Sequence, residues 1–142
     1  MFRKITLTLL MTLISIAGTG YALAQTADAE AENAKLMAAF ANEGPLTETD
    51  IQTFIKIAPA LLEAVDANDE TRGLKLMEEA GWGEIRGAYV TSKIGNGYMM
   101  LTDAEDAQTL FELVEMPASL IPGESEMAVI TKYQADLAKI FD

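Results

Sequence analysis

From Ala80 to Leu101 the chain holds its only tryptophan, two of its four tyrosines and five of its ten glycines. From Glu84 onward the spacing predicts a helix with two apolar stripes. Ile85, Ala88, Tyr89, Ser92, Asn96 and Met99 lie near one, and Ile94, Tyr98 and Leu101 mark the other. A helix that is apolar on more than one side must be covered on more than one side, so it belongs at the centre of the molecule. Gly87 and Gly95 inside it each cost about 0.8–1 kcal/mol against alanine. With Ala88, Thr91 and Ser92 they leave a thin surface that suits either a closely crossing helix or a glycine-lined ligand groove. The turn before it is also specific. With Gly81 in the left-handed conformation after a helix, Trp82 and Met77 become the pair that packs together in a Schellman ending.

The rest of the chain predicts helices to wrap this one. Ala27 to Ala41 forms a first helix, ended by Asn42-Glu43-Gly44-Pro45. Thr47-Glu48-Thr49-Asp50 reads as a capping box with Asp50 at the third helical position, and Leu46 and Ile51 are placed as a hydrophobic staple. Ile51, Phe54, Ile55, Ala58, Leu61, Leu62 and Val65 then repeat at helical spacing. Pro59 falls inside that pattern without breaking its phase, which predicts one bent helix. A polar turn over residues 66–70 leads to a short helix ending at Gly81. After the central helix, Thr102-Asp103-Ala104-Glu105 reads as a second capping box, for a helix stopped by Pro117. Leu120 and Ile121 plug the following loop, and Ser125 is placed to cap a last helix through Met127, Ile130, Tyr133, Leu137 and Ile140. No strand alternation is present. The expectation is an all-α domain of five or six helices around the glycine-containing central helix.

Residues 1–24 read as an address. Arg3 and Lys4 precede an apolar run from Ile5 to Ala17, and Ala22-Leu23-Ala24 gives the small-x-small pattern for cleavage before Gln25. The run is shorter than the roughly 20 residues of a comfortable membrane span. This predicts a cleavable signal peptide (1–24) and an exported helical domain (25–142), most simply periplasmic, with no stable membrane insertion after cleavage. A retained N-terminal anchor is the alternative. The exported part carries eight basic residues against 22 acidic ones, a balance that repels nucleic acid. With no cysteine, its stability must come from packing alone.

Composition also bounds the chemistry. Without histidine or cysteine the chain lacks the commonest general base, Ser-His and Cys-His pairs, and the usual zinc, copper and haem ligands. No metal or cofactor is expected. Asp66-x-Asn68-x-Glu70 opens like a calcium loop, but Thr71 and Met77 stand where the turn glycine and the bidentate glutamate belong. Met37, Met77, Met99, Met100, Met116 and Met127 read as gap-fillers of the core. The polar groups of the central helix, Arg86, Tyr89 and Lys93, together with Trp82, form the candidate ligand-binding set, suited to an anionic or carboxylated ligand. Glu84, beside Trp82, is the one candidate acid, because an apolar neighbour can raise a carboxyl pKa. The reading that follows is a non-enzymatic binding module for a protein or small ligand of the cell envelope. The alternatives are an envelope hydrolase using carboxylates, with Glu84 as its acid, or a chaperone-like protein.

Overall fold

A computed structural model describes the backbone of residues 27–142 and the side chains from residue 34. The signal-peptide expectation for residues 1–24 lies outside the described residues. Seven α-helices and one 3₁₀ turn make up the described chain, all-helical as expected. They are α1 (Ala27–Ala41), α2 (Glu48–Asp66), α3 (Glu70–Glu79), α4 (Glu84–Thr102), α5 (Ala104–Leu113), the 3₁₀ turn Ala118–Leu120, α6 (Glu124–Lys132) and α7 (Gln134–Phe141).

Helix α4 is the axis of the molecule. Every residue from Gly87 to Met99 is buried, and α1, α2, α3, α5, α6 and the 3₁₀ turn all pack on it. Its glycines serve close crossing. A methyl group at Gly87 would sit 2.5 Å from Met77 Sδ of α3, and one at Gly97 would collide with Ile130 of α6. The sequence pointed to Gly87 and Gly95; the crossing with α6 falls at Gly97.

The predicted turn before α4 forms in full. Gly81 has φ +87°, its amide donates to Glu78 O at 3.0 Å, and the Trp82 amide donates to Met77 O at 3.0 Å. Those two bonds define a Schellman ending, and the paired side chains Trp82 and Met77 are both buried. Asn68 and Glu115 end α2 and α5 in the same way, with φ of +53° and +51°.

The Thr47 capping box is present with both reciprocal bonds, and its staple residues Leu46 and Ile51 are buried. Pro59 lies inside an uninterrupted α2. Two other caps differ from expectation. Thr102 is the last residue of α4, its hydroxyl donating to Tyr98 O, and Asp103 is the residue that caps α5. Ser125 lies within α6, whose N-cap is Gly123, with Glu126 reaching back to the Gly123 amide at 3.0 Å.

The expected last helix is two, which raises the count to seven. The break falls at Tyr133, which has neither glycine nor proline beside it. Its hydroxyl donates to Glu48 at 2.5 Å and accepts from Gln52 at 2.8 Å, while Lys132 also pairs with Glu48. Both residues are thus tied to the first turn of α2, and the chain redirects there so that α7 can lie on α2. Phe141 then stacks between Phe54 and Tyr98, with ring centroids 5.9 and 5.1 Å away.

Candidate functional site

The four residues singled out from the sequence do come together, at the N-terminal half of α4. Each is held by the chain itself. Trp82 is buried and its indole N–H donates to Asp50 Oδ1 at 3.2 Å. Arg86 donates to Asp50 Oδ2 at 2.6 Å, to the carbonyls of Gly44 and Pro45 at 2.8 and 3.2 Å, and to Glu43 at 3.4 Å. Lys93 donates to Tyr89 Oη at 2.8 Å and to Glu126 Oε2 at 2.6 Å. The Tyr89 ring lies between the two cations, its centroid 5.2 Å from the Arg86 guanidinium carbon and 4.8 Å from Lys93 Nζ.

Two carboxylates organise this cluster, and sequence reasoning assigned neither of them a part in it. Asp50 and Glu126 each stand third in a helix, accept from their own N-cap amide, and also bind a cation of α4. Glu126 takes a further bond from the Leu46 amide at 2.7 Å. Burial alone would raise both carboxyl pKa values. At Asp50 the hydrogen bonds from Thr47 and the charge of Arg86 outweigh it; at Glu126 the Gly123 amide, Lys93 and the Leu46 amide do so. Both groups are held as anions below the usual carboxylate range. Their remaining lone pairs are largely engaged, so the cluster forms an internal brace clamping residues 43–47 to α4 and α6.

Glu84, the candidate acid, is exposed in the first turn of α4, outside any apolar enclosure. The indole beside it in sequence turns instead to Asp50. The Asp66–Glu70 segment is a helix-ending turn, in which Asp69 caps α3 through the Arg72 amide at 3.0 Å.

A concave surface lies at the other end of α4. From Arg86 to Met100 the helix rises about 21 Å. There an open groove of about 510 Å³ is lined by Met100 of α4, by Ala104, Gln108, Phe111 and Glu112 of α5, and by Met116 and Ile121 of the connection to α6. Two methionines expected in the core therefore border a concavity, while Met77 does fill the core. The only charged side chain in the lining is Glu112, which accepts from Gln108 at 3.2 Å. Behind Met116, Asn96 donates to Leu120 O at 2.9 Å. The Asn96 Oδ1 and Ser92 Oγ atoms, one turn apart, are buried without a partner among the described residues.

Helix α5 owes this groove to its sequence. Ala107 is buried, Leu110 and Val114 on the same side are half-buried, and Ala104, Gln108, Phe111 and Glu112 fall along one flank. Small Ala104 leaves the floor open and Phe111 supplies a wall. Leu113, 79% exposed, points from the opposite flank and takes no part. Nothing local in the sequence signals the groove, since its walls come from three segments.

Comparison with protein families, with curated proteins and with solved structures finds no match for this chain. Among the described residues no group of three or more His, Cys, Asp or Glu side chains is arranged to hold a metal ion, and no helix is long and apolar enough to cross a membrane.

Proposed function

We propose that this chain is an exported, non-enzymatic binding module of the cell envelope that receives an apolar part of its partner in the groove between α4, α5 and the connection to α6. One observation carries the reading: a groove of about 510 Å³, walled by Met100, Phe111, Met116 and Ile121, stays open beside the packed core. Ligand sites are typically concave and mostly apolar with a few polar groups, and methionine walls adjust to differently shaped guests. Export and a periplasmic location rest on the leader pattern of residues 1–24. In this reading Trp82, Arg86, Tyr89 and Lys93 act from within. They brace α4 and leave its far end to meet the partner.

The test uses protein with ¹³C-labelled methionine methyl groups, titrated with apolar fractions of envelope extract. Shifts at Met100 and Met116 with Met77 unmoved are expected. Shifts centred on Met77, or none with any fraction, would overturn the reading. A chaperone-like role would draw on the same groove and show as binding to many unrelated unfolded chains. The leader is tested separately, by the mass of the exported protein, expected to begin at Gln25.

A further inference from the structure

We infer that the partner seated in the groove is a cationic amphipathic helix, a protein segment with lysine or arginine flanking an apolar face. This inference rests on the binding-module reading above and goes beyond it, to the chemistry of the partner.

The charge around the groove carries it. From Ile94 to Thr131 the sequence has no lysine or arginine, while it has seven acidic residues. All of α5 and the whole groove fall inside that run. Elsewhere six cations are committed: Arg72, Lys75, Arg86, Lys93, Lys132 and Lys139 each pair with a carboxylate outside the groove. On and just beyond α5, by contrast, Glu105, Glu112 and Glu115 are exposed with no cationic partner among the described residues. The stretch without lysine or arginine therefore coincides with the segments that build the apolar groove, and Glu112 stands in its lining. Complementary charge at a rim steers encounter and sets orientation, and an apolar trough beside it receives the side chains of one helix face.

The same charges argue against other occupants. A second copy would bring Glu105, Glu112 and Glu115 against their own kind. An anionic lipid or nucleic acid would meet the same repulsion. The ten residues of α5 give a wall about 15 Å long, enough for two to three turns of a docked helix.

The experiment uses the purified exported protein and two fluorescently labelled synthetic helical peptides. Both carry the same leucine face; the polar face is lysine in one and glutamine in the other. Anisotropy is expected to show the lysine peptide binding about tenfold more tightly, with the advantage lost at high salt. Two exposed positions supply variants that leave the core alone: Ala104→Trp, which fills the groove, and Glu112→Lys, which reverses its charge. The first should abolish binding of both peptides, and the second should remove the lysine preference. A neutral solvatochromic dye, displaced by Ala104→Trp, reports separately on whether the groove takes any apolar guest. Equal affinity for the two peptides, or salt-independent binding, overturns the cationic partner while leaving the groove reading intact. Failure of both peptides while the dye still binds does the same. Failure of the dye as well as the peptides overturns both. Sedimentation showing a dimer that Ala104→Trp dissociates would assign the groove to a second copy and overturn the inference.

Discussion

Asp50 and Glu126 stand at the same position of two helices, close their own caps, and each then reach a cation on α4. For Glu126 the consequence is large, because Lys93 and Glu126 keep only 6% and 10% of their side-chain surface exposed. Glu126→Gln keeps the shape but leaves the ammonium buried without a counter-charge, and should cost about 3–5 kcal/mol by urea denaturation. Adding Lys93→Met should recover much of that loss; a double variant no better than the single one would show that the Leu46 and Gly123 amides, not the ion pair, carry the cost. Ser92→Ala removes a buried hydroxyl that has no partner among the described residues, so it should be neutral or stabilising by up to about 1 kcal/mol. Trp82 should emit in the blue and resist acrylamide, given 6% exposure; ready quenching would place the indole elsewhere.

At the scale of the elements, what was legible was what is local. The capping box at Thr47, the glycine ending at Gly81 and the unbroken stripe through Pro59 each depend on residues within a few positions of one another, and each is present. The cap of α6 was not, because glycine at 123 offers no side chain and the capping partner is Glu126, whose other ties lie far off in sequence. The break at Tyr133 was hidden for the same reason: the forces that turn the chain come from Glu48 and Gln52. Residues of the Trp82 cluster were found through their helical placement, but their saturation by Asp50 and Glu126 depends on tertiary packing. The groove needed three segments at once. Two glycines separate backbone need from space. Gly81→Ala meets no neighbouring atom within 4 Å, yet its φ of +87° should cost about 1–2 kcal/mol. Gly97→Ala has an ordinary helical backbone but runs into Ile130 and the Pro122 ring, and overpacking there should cost about 1–2 kcal/mol after the gain in helix propensity. An unchanged urea midpoint for Gly97→Ala would mean that α6 yields readily.

For the molecule as a whole, the depressed carboxyl pKa values of buried Asp50 and Glu126 bear on the acid limit, and Glu48, which accepts from Lys132 and Tyr133, is lowered as well. A group titrating lower in the native state than in the unfolded chain lends its full stability above the unfolded value. That stability is lost as pH falls through the native one. Stability should therefore hold near neutrality and decline below about pH 4, where unfolded carboxylates take up protons. In Asp50→Asn the decline should be shallower; an identical acid profile would assign it to other groups. The bond from the Leu46 amide to Glu126 spans 80 residues. A chain made and delivered from its N-terminus therefore cannot fasten residues 43–47 at both sides of α4 until its last fifth has arrived. Closure comes late, and the thread stays unlatched for most of its emergence. A version ending at Gly123 should show no cooperative urea transition, and addition of the final two helices should restore it.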